Sequence, residues 1–442
     1  MLSLGLKLSM AVGQYTTVLP LEALYFSLSA SGYVYVDDLN NWYTDAARTI
    51  PATSLPNQSD TCYFGAIGSN YDMVISGGME CAIAEFYAND VTSFMSVNAD
   101  ITCHEDCILR GAASVVDGTI TTPTFNTYDT SSITGGTVNG TAINMYDDSS
   151  VTSSAVVNSI AVDMYGYSAI TGGTVALVAP NSSDAQIKMH DYSHVAGGII
   201  TTWSADLYNN ASVISGGTIS ALTNITLNDN SSVAGGASIN CSNIQMYGYS
   251  SVSGSVLLYY GSCDMYGNST IASGGSASGP GSTMNMYDNS SVTGGSAGID
   301  SFNMYNYSSL TSYSWIACYS FTSFIYDQAT ITEGSSLLCS GNMVLSGDVS
   351  ITNGGYVVSP SCYMYGNSIV GSGGFLSSQN VVLYENSSVM ENGFINSSGE
   401  VSLYDYSYNA GTIYGEPITV NYPSPNPIGG ITSGTVTYQG YA

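Results

Sequence analysis

Twelve tyrosines recur at near-regular intervals: Tyr128, Tyr146, Tyr165, Tyr208, Tyr247, Tyr266, Tyr287, Tyr305, Tyr326, Tyr365, Tyr384 and Tyr404. With His190, Asn228 and Ser346 they make fifteen equivalent positions spaced 18 to 25 residues apart. The residue before each is Met, Leu or Ile in fourteen of the fifteen, so in a strand that residue faces inward and the tyrosine outward. Phenol rings stacked about 5 Å apart would form an aromatic strip able to bind sugar rings; the bland alternative is a ladder that only ties neighbouring copies together. The expected ligand-binding residues are Tyr146, Tyr165, Tyr208, Tyr247, Tyr266, Tyr287 and Tyr305.

Other chemistry-bearing residues read as structural. Two places after the tyrosine stands Asn or Tyr, as in Tyr167, Tyr192, Asn210, Asn230, Tyr249, Asn268, Asn289, Tyr307, Asn367, Asn386 and Tyr406, mainly as turn residues. Asp129, Asp147, Asp191, Asp229, Asp288, Asp327 and Asp405 follow the tyrosine position and could gather Ca²⁺. Their alternation with Gly and Asn assigns them to turns instead, and the glycine-rich calcium nonapeptide is absent. Cys103-His104-Glu105-Asp106-Cys107 is the one dense cluster of ligand types, but a zinc site needs a second paired half and none is evident. No catalytic residue, metal or cofactor is expected.

These residues need a scaffold that repeats with them. The segment NMYDNSSVTGG, Asn285 to Gly295, recurs in variant form from about Phe125 to Ser407. Five places after the tyrosine stands Val, Ile or Leu, again in fourteen of fifteen copies, from Ile133 to Val389. Thr or Ser and usually Gly-Gly come next, as at Gly135-Gly136, Gly172-Gly173, Gly216-Gly217 and Gly294-Gly295, and then a third apolar site such as Val138, Val175 or Ile219. The unit reads strand, turn, strand, turn, strand. A unit of about 20 residues cannot bury its apolar side chains alone, but stacked copies share a continuous core. Helical solenoids need helix formers at a 3.6-residue period, and this chain carries 49 Gly and no such period. The regular Leu-x-x-Leu-x-Leu pattern of leucine-rich repeats is missing as well. The expected fold is an all-β, single-stranded parallel β-solenoid, right-handed, with about three short strands per coil of 19 to 20 residues and small terminal appendages.

Composition narrows the partners. Four Lys and Arg stand against 32 Asp and Glu, a formal charge of −28, so the chain cannot neutralise many phosphates and nucleic-acid binding is not expected. The same scarcity leaves trypsin-like proteases few sites, which suits exposure outside a cell. Nine cysteines at varying places in the coil indicate buried small hydrophobes in place of a disulfide framework. No apolar run is long enough for a transmembrane helix, and the N-terminal stretch makes a poor signal peptide.

Along the chain, residues 1–58 lack the repeat and read as an N-terminal attachment or capping region, with a strand candidate at Tyr33 to Val36. Residues 59–124 read as degenerate first coils, 125–408 as the regular solenoid, and 409–442 as a C-terminal cap or assembly tail broken by Pro417, Pro423, Pro425 and Pro427. An insertion from Val178 to Gln186 should protrude from its coil.

The Ser-Gly-Gly-Thr and Thr-Gly-Gly-Thr segments, at Ser215 to Thr218, Thr134 to Thr137 and Thr171 to Thr174, resemble the passenger repeats of AIDA-type autotransporter adhesins over about 280 residues. That resemblance implies a β-helical architecture and an adhesive role. Passengers of that family follow a signal peptide and precede a membrane barrel, and neither is recognised in this sequence. The layout of a small N-terminal region before a repetitive β-structured shaft also resembles phage tail fibres and spikes, which are released by lysis without secretion. The leading expectation is a non-enzymatic virion fibre or receptor-binding protein that attaches to a cell-surface glycan or receptor, contacts other virion proteins through its terminal regions and could form a homo-oligomer. The runner-up is a bacterial surface or secreted adhesin. Because parallel β-helices also host polysaccharide lyases and glycosidases, an enzyme is the third reading, with Arg110 and Lys188 as basic candidates and Glu105, Asp106, Glu385 and Glu391 as carboxylates.

Overall fold

The structure, a computed structural model, describes residues 23–26, 32–65, 72–88, 94–177, 184–421 and 429–439. They form an all-β parallel solenoid of about 18 turns with a spacing of about 19 residues, as the repeat predicts. One coil shows the plan: strands Thr283–Met286, Ser291–Thr293 and Ser296–Ile299, separated by two tight turns. Each strand pairs in parallel and in register with its counterparts one coil below and one above, so Met286 lies between Met265 and Met304, and Val292 between Ile271 and Leu310.

The apolar columns are the core. Met286 and Val292 are fully buried, and so are all the other Met, Leu, Ile and Val members of the two columns. The two polar exceptions, Thr127 and Asn409, also point inward and are buried. Val138, Val175 and Ile219 supply the third inward column.

Sequence explains each corner. In the first turn the Ser290 N–H donates to the Tyr287 carbonyl at 3.1 Å, and Asp288 takes a left-handed φ of 57°. Its counterparts Gly267 and Asn306 do likewise, at 67° and 57°. Gly, Asn and Asp are the residues that accept this conformation most readily. The following position is not left-handed, so only the first of the two expected turn residues needs that tolerance, and the second is free to be a tyrosine such as Tyr249 or Tyr307. In the second turn Gly294 has φ 70°, whereas Gly295 is needed for close approach, since a Cβ there would sit 2.7 Å from the Ile271 side chain.

One inward column escaped the sequence reading. Three places after the tyrosine a small residue turns into the corner: Ser149, Ser168, Ser193, Ser231, Ser250, Ser269, Ser290 and Ser308 are fully buried. Ala211, Ala329 and Val349 take the same place, so the corner demands a compact side chain more than a hydroxyl.

The parallel pairing runs on outside residues 125–408. Gly32–Tyr35 pairs with Asp72–Ala88 and Ala23–Phe26 with Thr61–Phe64, while Thr412–Tyr414 pairs with Ile431–Ser433 and Ile418–Asn421 with Val436–Gln439. The coils with a degenerate pattern merge two faces into single bent strands, Asp72–Ala88 and Phe94–Gly111, whose register shifts between Cys81 and Ile83. At this end Trp42 is buried against Phe26 and Phe64, with ring centroids 4.9 and 5.4 Å away, and its Nε1–H donates to the Val36 carbonyl at 2.9 Å. Of the insertion, residues 178–183 lie outside the described residues, as do Pro423, Pro425 and Pro427.

Candidate binding strip

The tyrosine column exists, but as three strips. Tyr128, Tyr146, Tyr165, His190 and Tyr208 stack in series, with ring centroids 4.7 to 5.3 Å apart and planes within 8° of parallel. Tyr247, Tyr266, Tyr287, Tyr305 and Tyr326 form the second series, and Tyr365, Tyr384 and Tyr404 the third. Asn228 and Ser346 are the breaks, and Asn228 donates its side-chain amide to the Leu207 carbonyl at 3.3 Å. Of the expected residues, Tyr146, Tyr165 and Tyr208 therefore belong to one strip and Tyr247, Tyr266, Tyr287 and Tyr305 to another.

All seven are half-buried. Neighbouring rings cover each other's faces, so within a strip the outward offer is ring edges and phenol hydroxyls, and open faces occur only where a rung is missing. This differs from the stacking strip expected of the column, because a coil repeat of about 4.8 Å is too short to admit a guest ring between stacked rungs. Burial, the largest cause, raises the phenols of Tyr146, Tyr165, Tyr208, Tyr266, Tyr287 and Tyr305 above the ordinary value of 10.0, and nearby charges such as Asp264 beside Tyr266 add to it. They are hydrogen-bond donors at neutral pH.

A polar column beside the tyrosines was missed. Two residues earlier on the same strand, and so on the same outward face, stand Asn144, Asp163, Asp206, Gln245, Asp264, Asn285 and Asn303. They bond along the rod: Asn285 donates to Asp264 at 2.7 Å and Asn303 to Asn285 at 2.9 Å. The signal was present as a recurring Asn/Asp-Met-Tyr tripeptide, at 144–146, 163–165, 264–266, 285–287 and 303–305. Phenol edges and amide or carboxylate groups thus run side by side along one face.

The acidic turn residues have a structural task. Each carboxylate reaches back one coil to accept the N–H of its equivalent: Asp288 from Gly267 at 3.0 Å, Asp327 from Asn306 at 3.1 Å and Asp129 from Gly111 at 2.9 Å. The Cys103–Cys107 cluster divides, with both thiols buried, Cys103 3.8 Å from the Cys81 sulfur, and His104 exposed 3.2 Å from Glu80. Among the described residues no three His, Cys, Asp or Glu side chains are placed to hold a metal ion. Of the basic candidates, Arg110 is paired with Glu85 at 2.9 Å, and Lys188 sits in register between Asp163 and Asp206. Glu385 takes the turn position at φ 58° and accepts the Gly366 N–H at 2.6 Å, while Glu105 and Glu391 are exposed. Among the described residues no helix is long and apolar enough to cross a membrane.

Comparison of the chain with protein-family models, with curated proteins and with solved structures finds no match.

Proposed function

We propose that the protein is a non-enzymatic adhesive fibre, a phage-type tail fibre or receptor-binding protein of the virion, which attaches to a cell-surface glycan along its tyrosine strips. The observation that carries this reading is the pairing of two outward columns, phenol edges and an Asn/Asp row, at one repeat of the solenoid. Sugars present hydroxyl groups on apolar rings, and such a face offers alternating donors, acceptors and ring edges to match them. The acidic field of a chain at −28 repels polyanions, so the strip favours a neutral glycan. Each coil would bind weakly, and many equivalent coils gain through multivalency. A bacterial surface adhesin would use the same strip in a different assembly.

Replacing Tyr247, Tyr266 and Tyr287 together with Ser tests the proposal. The triple variant should keep the β-rich circular dichroism spectrum and lose most of its attachment to target cells. Undiminished attachment by a folded triple variant would reduce the strip to a structural ladder.

A further inference from the structure

The outward column continues below Tyr128 with different chemistry. Register places Arg110 under Tyr128, Tyr87 under Arg110 and Gly65 under Tyr87. Arg110 lies on the Tyr128 ring, 4.2 Å from its centroid, and so serves as a cationic rung. At Gly65 the rung is missing. A side chain cannot be accommodated there, since the backbone has φ 87° and a Cβ would collide with the Tyr87 carbonyl.

The missing rung opens onto a cleft of about 540 Å³ below the closely filled ladder. Tyr87 and the stacked pair Tyr25 and Tyr63, 5.2 Å apart, line it together with Glu85. Arg48 closes the far side, fixed by donating to the carbonyls of Phe26 at 2.6 Å, Ala46 at 2.9 Å and Gly65 at 2.8 Å. Two of the four cationic residues of the whole chain therefore line this cleft, with Glu85 as the carboxylate among the described lining residues. Arg110 gives its Nε–H to Glu85, and its side chain makes no other hydrogen bond among the described residues.

We infer that this cleft is a binding site for a single carboxylated sugar residue. The cleft takes a pyranose ring against its tyrosines, with the carboxylate on the remaining N–H fork of Arg110, which lines the same cleft, a geometry that suits a planar anion. The guanidinium groups at the cleft suit an anion, whereas the acidic surface elsewhere would repel one. The volume is that of a small-ligand pocket. The site is separate from the tyrosine strips, and neither depends on the other.

The test is titration of the full chain with the methyl glycosides of glucuronate, galacturonate and N-acetylneuraminate, and with methyl glucoside as neutral control, read by saturation-transfer NMR and calorimetry. At least one acidic glycoside should bind saturably, about tenfold or more tighter than the neutral one, and weaken as salt rises. Arg110→Gln should cost about tenfold, the loss of one charge-assisted contact. Ala46→Trp, at an exposed rim position, should block the cleft without touching the core. The Tyr247, Tyr266 and Tyr287 triple variant should bind the acid normally. Saturable binding by none of the acids, equal binding of acid and neutral sugar, or binding unchanged in a folded Ala46→Trp chain would each overturn the inference.

Discussion

At the scale of single residues, the tightest demands fall on the first turn. Asp288 satisfies two at once, a left-handed backbone and a clip onto the Gly267 N–H of the coil below. Asp288→Asn keeps the backbone preference and an acceptor oxygen, so urea melts should show a loss below about 1 kcal/mol. Asp288→Val forces a β-branched residue into that conformation and removes the acceptor, which should cost about 2 kcal/mol or more. Val292→Asp lies at the other extreme, where an unpaired carboxylate would be buried in the core at a cost of several kcal/mol. Asn289→Gly should be nearly silent, because Asn289 is exposed and is not left-handed. If the four variants melted alike, the assignment of these positions would fail.

At the scale of elements, the strips are ladders whose rungs support one another. Each aromatic pair contributes about 0.5–1.5 kcal/mol beyond area burial, so an inner rung such as Tyr266, stacked on both sides, matters more than an end rung such as Tyr404. The ladders also set an alkaline limit. A phenol whose folded pKa is raised holds its proton more tightly in the fold than in the unfolded chain. Its stabilising effect is complete below the ordinary value of 10.0 and is lost as pH climbs from there through the raised folded value. Stability should be flat in this respect up to about pH 9 and decline above about pH 10, and Tyr266→Phe with Tyr287→Phe should make the decline shallower. A decline of unchanged steepness, followed by urea unfolding at each pH, would remove the phenols as its cause.

At the scale of the whole molecule, about 18 turns at roughly 4.8 Å each give a rod on the order of 90 Å long, which displays the polar and aromatic columns on one side. Stability in such a stack is a sum of neighbour interfaces, and no coil folds in isolation. Backbone continuity also shields the chain from cleavage. Arg110 and Lys188 lie inside paired strands, within Phe94–Gly111 and Gln186–Met189, so trypsin should not cut the native chain at either residue but should cut at both after denaturation. Peptide mass fingerprints of native and heat-denatured digests check this, and native cuts at Lys188 would indicate local opening of the solenoid.

The sequence by itself determined the period, the three apolar inward columns and hence the fold, because an apolar side chain that must be buried in every coil leaves the same residue type at every repeat, whereas the small corner residues such as Ser290 carry no such mark. The outward columns repeat less strictly. Tyr146 to Tyr305 were legible as a set, and the adjoining Asn/Asp row was equally present as a tripeptide but passed over. Tertiary structure alone decided what the rings present to solvent. Whether Tyr266 offers a face or an edge depends on the rings of Tyr247 and Tyr287, stacked 5.0 and 4.8 Å away but 19 and 21 positions distant in the chain. The Gly65 cleft was hidden for a stronger form of the same reason. Arg48, Gly65, Tyr87 and Arg110 share no motif, and only the register of the first coils brings them around one cleft.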